Sequence, residues 1–163
     1  MAALRKVFVA TDGSAPAEAA EMVAAEIGNC MSACFGECEI IVATVIPPKE
    51  GSIVEVPFQG TVPARVQRVL PTEEMEEDAT QLVAEAGVRI KGVATHSGVE
   101  VRAVVLRSAS PAEGILEFIE NEAGCSYIVL GNRGHGGFKK LVLGSVSNEV
   151  LHSAACPVVI VKD

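Results

Sequence analysis

Short apolar runs alternate with longer segments of helical spacing, and that alternation restricts the fold more than any other feature. The runs are residues 6–10, 39–46, 99–106, 125–130 and 156–161. Each is strand-sized and bounded by turn residues. Parallel neighbours need crossovers of a dozen or more residues, which the segments between the runs supply. The pattern predicts an α/β fold: an open sheet of five parallel strands, helices on both faces, right-handed crossovers. At roughly 100–200 residues per domain, a chain of 163 residues reads as one domain, 1–163.

Local signals bound the helices. Ser14 is a good N-cap, with Pro16 in the first turn and Glu18 near the positive end of the dipole. Ala19, Met22, Val23 and Ile27 follow at helical spacing, and Gly28 predicts the helix end. Residues 47–71 hold five prolines, two glycines and no sustained period, so they read as one long loop. Thr72 opens the next helix, whose apolar stripe is Met75, Ala79, Leu82, Val83, Ala86, Ile90 and Val93. Ser110-Pro111-Ala112-Glu113 is a capping box with proline at the first helical position. Ile115, Leu116 and Ile119 form that helix's buried face, and Gly124 its end. Val146, Val150, Leu151 and Ala154 mark a last helix.

Composition excludes several functions. The net charge of −8 argues against general nucleic-acid binding, which wants a basic face. No apolar run approaches the roughly 18–20 residues of a membrane helix, and the four apolar residues after Lys6 are too few for a secretion signal. A cytoplasmic protein is expected. Three of the five cysteines, Cys30, Cys34 and Cys38, are spaced by four. They would align only on a continuous helix, which Gly28, Asn29 and Gly36 argue against. Free thiols in a reducing compartment are expected rather than a metal site.

Chemistry concentrates after the fourth strand. Gly131, Gly134, Gly136, Gly137 and Gly144 fall within fourteen residues, and Gly144-Ser145 precedes a helix. Glycine lets backbone N–H groups approach an anion, and a helix N-terminus favours phosphate. Ser145 and Ser147 add hydroxyl donors; Arg133, Lys139 and Lys140 make residues 131–147 cationic, with no acid among them. The arrangement predicts a phosphate cradle at the carboxyl end of a parallel strand. The alternative is a glycine-rich connector. No Gly-Lys-Ser/Thr follows the glycines, the spacing is not the dinucleotide fingerprint, and no G-x-S-x-G elbow is present.

The spacing Gly131-x2-Gly134-x9-Gly144-Ser145 resembles the nucleotide-binding signature of the universal stress protein family, in its ATP-binding subgroup. LGNRGHGGFKKLVLGSVS resembles that family's loop, CPVVIVK its last strand, and VATDGS at residues 9–14 its first strand and turn. The resemblance implies the strand order 3-2-1-4-5 and an adenine nucleotide (ATP, or ADP or AMP) across the ends of strands 1 and 4. By position, Ala10, Thr11 and Asp12 would lie beside the nucleotide, with Asp12 facing the ribose or a phosphate-bound Mg²⁺. Val45 would offer backbone groups to adenine, and Leu130 and Gly131 would flank base and sugar. Arg133, Gly134, Gly144, Ser145, Val146 and Ser147 would hold the phosphates. Asn132 departs from the serine usual before the arginine.

The implied function is a stress-response protein that binds ATP as a binding or signalling module. The alternatives are a slow ATPase or nucleotidyl-transfer enzyme, and a nucleotide-free dimeric interaction protein. His96, His135 and His152 read as turn or surface residues without a catalytic role. In the implied order residues 156–161 form a sheet edge, with Val158 to Val161 uncharged and β-branched. Self-pairing of that edge predicts a homodimer.

Overall fold

The computed structural model describes residues 4–48, 72–122, 125–135 and 143–162. Its elements are β1 (Arg5–Ala10), α1 (Ala15–Phe35), β2 (Cys38–Ile46), α2 (Glu73–Val93), β3 (Val99–Arg107), α3 (Pro111–Asn121), β4 (Cys125–Gly131), α4 (Ser145–Ser153) and β5 (Val158–Val161). The sheet has the order β3-β2-β1-β4-β5, every neighbouring pair parallel. The expected α/β fold and the order implied by the family resemblance are both present.

Successive strand residues face opposite sides of the sheet, so two cores form. Val7, Val9, Ile40, Val42 and Val129 pack with Ala20, Ala24, Ala86 and Ile90 of α1 and α2. Phe8, Ile41, Ala43, Ile128 and Leu130 pack with Ala112, Ile115 and Val150 of α3 and α4. The central strands are apolar throughout because both faces are covered.

Helix α1 departs from the sequence reading twice. It does not stop at Gly28 but runs on to Phe35 and closes on Gly36, whose φ of 99° suits glycine. Gly28 instead marks close packing: a Cβ there would stand 2.5 Å from Cδ1 of Ile40. Its fully buried face is also not Ala19, Met22, Val23 and Ile27, which are half-buried. It is Ala17, Ala20, Glu21, Ala24, Ala25, Gly28 and Ser32. Small side chains let the helix axis lie near the sheet, and the larger ones spread to its flanks.

Other boundaries shift less. Thr72 caps α2, its Oγ1 accepting from Met75 N at 3.1 Å, and Ser110 accepts from Glu113 N at 3.4 Å. Helix α3 ends at Asn121, before Gly124, which lies outside the described residues. Strand β5 covers Val158–Val161 rather than 156–161. Pro157 has no N–H to donate, although its carbonyl accepts from Ile128 N at 2.9 Å. Of the predicted loop 47–71, residues 49–71 lie outside the described residues, as do Gly136, Gly137, Lys139 and Lys140.

Candidate functional site

Strand β1 occupies the middle of the sheet, and the chain leaves it for β2 on one side and β4 on the other. That topology opens a crevice at the carboxyl ends of β1 and β4. A cleft of about 650 Å³ lies there, within the usual range for small-molecule sites.

The turn after β1 forms one wall. Gly13 has a φ of 77°, a left-handed conformation that favours glycine. Asp12 Oδ1 accepts from Ser14 N at 3.0 Å and from Ser14 Oγ at 2.6 Å. Ser14 is therefore the N-cap residue of α1 by position, with its hydroxyl turned to Asp12 rather than to the helix. Asp12 Oδ2 accepts from His135 N at 3.1 Å, tying the β1 turn to the loop after β4. Thr11 is buried; its N donates to Ala43 O at 2.8 Å and its Oγ1 to Glu21 Oε1 at 2.7 Å.

Three glycines lie along the other wall. A Cβ on Gly131 would sit 2.7 Å from the Pro16 carbonyl carbon, so β4 ends directly over the first turn of α1. A Cβ on Gly134 would collide with the Asp12 carboxylate, and one on Gly144 would stand in ordinary contact with Arg133 Cα at 3.4 Å. Gly144 N donates to Asn132 O at 2.7 Å, pinning the return of the loop. Gly144 is also the N-cap of α4 and carries no capping side chain. Among the described residues, the first N–H groups of α4 thus have no side-chain cap, and they add the positive end of the helix dipole.

All twelve residues singled out from the sequence line this cleft: Ala10, Thr11, Asp12, Val45, Leu130, Gly131, Arg133, Gly134, Gly144, Ser145, Val146 and Ser147. One expectation changes. The Ser147 hydroxyl donates to Gly131 O at 2.7 Å and is buried. Its single hydrogen braces the end of β4, so it is not a free donor like the exposed Ser145.

Sequence reasoning missed Ala17, Thr44, Pro111, Ile115 and His135, which line the same cleft. The capping box was the available signal for Pro111 and Ile115, since it places the start of α3 after β3. The larger omission is Glu21, fully buried on α1. Arg89 of α2 grips it with Nε at 2.8 Å from Oε2 and Nη2 at 3.1 Å from Oε1. The hydrogen bond to Glu21 raises the Arg89 pKa above its ordinary value, with burial opposing it. A hydrogen-bonded chain therefore runs from α2 through Glu21 to Thr11 in the cleft wall.

Contrary to the expectation from Gly28 and Asn29, α1 is continuous through Cys30 and Cys34, but Gly36 ends it before Cys38. Cys30 and Cys34 are exposed on α1, whereas Cys38 is buried in β2, its thiol pushed up to about 11 by burial and by Glu39. Among the described residues no group of three or more His, Cys, Asp or Glu is placed to hold a metal ion. Nor is any helix there long and apolar enough to cross a membrane. His96, His135 and His152 are exposed, as expected.

Residues 3–162 match the family model described as the universal stress protein family. A universal stress protein of Methanocaldococcus jannaschii is 35% identical over 111 residues, covering 68% of this chain and 61% of that protein. The YxiE universal stress protein of Bacillus subtilis is 36% identical over 86 residues, covering 53% and 49%. The chain thus spans about half to three fifths of these two relatives' lengths. A Thermus aquaticus universal stress protein is 28% identical over 158 residues, covering 97% and 98%. Among solved structures, the Archaeoglobus fulgidus universal stress protein superposes with a TM-score of 0.68 at 23% identity, covering 98% of both chains. A universal stress protein from Archaeoglobus fulgidus in complex with dAMP gives a TM-score of 0.66 at 22% identity, covering 99% of this chain and 100% of that one.

Proposed function

The chain belongs to the universal stress protein family, and from that premise we propose that it binds an adenine nucleotide, ATP in the first instance, in the cleft between β1 and β4. One observation carries the reading: α4 begins at a glycine with no capping side chain, on a cleft where Gly131 lies against the Pro16 backbone and Gly134 against the Asp12 carboxylate. The phosphates lie at the N-terminus of α4 and along the Gly131 to Gly134 backbone. Adenine and ribose lie toward Val45, Leu130 and Gly131, beside the Ala10 to Asp12 turn. Complexes of the Archaeoglobus fulgidus protein with dAMP and of another universal stress protein with cAMP support the ligand class.

Mg²⁺ would arrive with the phosphates. Asp12 fits it as one exposed carboxylate at the cleft, and Mg²⁺ is commonly held by one or two carboxylates plus phosphate oxygens. The ion would neutralise phosphate charge. The chain's own part is to hold Asp12 in place through Ser14 and His135 N.

The protein acts as a binding module in the stress response, in the cytoplasm, where adenine nucleotide and reduced thiols occur together. Binding ground and transition states equally well does not accelerate hydrolysis. The expected result is that denaturing the purified protein releases adenine nucleotide, seen by chromatography. Single-turnover measurements with Mg²⁺ should show hydrolysis far slower than ligand dissociation. Release of no nucleotide, together with no ATP binding in titration calorimetry, would overturn the binding reading. Robust turnover lost in Arg133→Ala would overturn the module reading in favour of an ATPase.

Homodimerisation through β5 belongs to the same proposal. Among the described residues, strand β5 pairs only with β4, and it is uncharged. Ile128 N donates to Pro157 O and Asn132 N to Val161 O. In a parallel ladder the alternate residues Val158 and Ile160 then turn their N–H and C=O groups to the open edge. Val158→Pro removes an outward donor and leaves the pairing with β4. Sedimentation should show its dimer weakened by about tenfold or more, since the substitution removes one donor from each protomer. An unmodified protein that sediments as a monomer at micromolar concentration sinks the dimer.

A further inference from the structure

None of the five cysteines lines the cleft, and two of them form a pair. Cys125 opens β4, and Cys156 lies in the turn before β5. Their sulfurs stand 3.8 Å apart, Cys156 Sγ donating to Cys125 Sγ, which in turn donates to Tyr127 O at 3.5 Å. Both side chains are half-buried against the core of Phe8, Ile128 and Val150. They sit on the α3 and α4 face rather than along the open edge of β5. The other three thiols differ in kind: Cys30 and Cys34 are exposed on α1, and Cys38 is buried in β2.

We propose that Cys125 and Cys156 are a site of reversible oxidation, which a peroxide converts to an intramolecular disulfide. A disulfide needs its sulfurs about 2.05 Å apart. Side-chain rotation shared between the two residues can close the remaining gap, since each sulfur already faces the other. The chemistry balances with hydrogen peroxide as oxidant. One thiolate attacks a peroxide oxygen, the O–O bond breaks, and hydroxide leaves to become water; the attacking sulfur is now a sulfenic acid. The second thiolate attacks that sulfur, the S–S bond forms, the S–O bond breaks, and a second water is released. Two thiols are oxidised, one peroxide is reduced, and a dithiol reductant reverses the result.

The surroundings set the rate. Burial, then the neighbouring Cys156, push the Cys125 thiol up to about 12. It is protonated near neutrality, and the thiolate is the reactive form. Closure is therefore slow at pH 7 and accelerates as pH rises, up to roughly tenfold per unit where thiolate supply limits it. The ring would enclose residues 126–155, which contain the glycine loop and α4. The sulfurs lie at the amino end of β4, about 20 Å from its carboxyl end at the rise of an extended strand, so the cleft is not part of the reaction.

The full chain carrying Cys30→Ser and Cys34→Ser, which removes the exposed thiols, is treated with hydrogen peroxide at pH 8. It is then unfolded, alkylated, digested without reductant and mapped by mass spectrometry. The expected product is a peptide pair joined through Cys125 and Cys156, two hydrogens lighter than its parts and separated by dithiothreitol. The oxidised protein should melt roughly 5–10 °C higher, because the link restricts the unfolded chain. Cys125→Ser and Cys156→Ser, each in that background, should abolish the product and leave the remaining cysteine as a sulfenic acid that dimedone traps. Both thiols still open to alkylation after treatment, independent oxidation of each to sulfinic acid, or links between separate chains would overturn the proposal.

Discussion

Replacing Gly134 and Gly144 together by valine should abolish detectable nucleotide binding, with affinity falling at least about a hundredfold, while the sheet stays folded. At Gly134 even a Cβ collides with the Asp12 carboxylate. The carboxylate must turn away, which gives up the bond from His135 N to Asp12 Oδ2 that joins the β1 turn to the β4 loop. At Gly144 the backbone has φ −72° and ψ 163°, values valine can adopt. The Cβ itself meets only ordinary contacts, Arg133 Cα at 3.4 Å and Asn132 O at 3.5 Å, so the harm comes from the branched end, which covers the open turn of α4. Hydrogen bonds to a charged ligand contribute roughly 1.5–3 kcal/mol each, so losing two costs a factor of about a hundred or more. Titration calorimetry with ATP reads the loss, and circular dichroism reports whether the fold survives. Gly144→Ala is the milder companion should the double variant misfold, and it should weaken binding without unfolding. A folded double variant that binds ATP like the parent would mean that the phosphates lie elsewhere.

The second large effect concerns stability. Arg89→Met should destabilise the protein by roughly 3–5 kcal/mol, the usual cost of stranding one buried member of an ion pair. Glu21 is fully buried, and Arg89 is its cationic partner, bound at both carboxylate oxygens. Glu21→Gln combined with Arg89→Met removes the charge but keeps an acceptor for Thr11 Oγ1. It should recover at least half of the loss. Urea unfolding at pH 7 measures both variants. A single variant within about 1 kcal/mol of the parent would show that water, not Arg89, compensates Glu21.

The fold was legible because each strand announced itself by length and turn residues, and because Ser110-Pro111 and Thr72 start helices in the way their side chains dictate. The cleft was legible where its chemistry lies in one stretch of chain, as in the glycines after β4. Gly28 misled because glycine signals both helix ends and close packing, and only Ile40, from another element, decides between them. The buried face of α1 misled for a related reason: alanines packed flat on a sheet look less apolar than the larger residues beside them. Glu21 carries no signal of its own in the sequence, since its partner Arg89 lies 68 residues away. The role of the Ser147 hydroxyl depended on Gly131 O being within 2.7 Å, a distance that spacing in sequence does not contain.

The cleft straddles the seam between the first part of the chain, which ends with β3, and the second, which begins with β4. It exists only when both parts have folded and docked, so its occupant meets the native state and not the unfolded chain. By mass action, a ligand present at a hundred times its dissociation constant adds about 2.7 kcal/mol to the unfolding free energy. Chaperones and proteases act on the small unfolded fraction, which shrinks by the same factor. Under the proposed reading, the cellular lifetime of this protein rises and falls with the nucleotide it holds, and its abundance becomes a record of nucleotide supply.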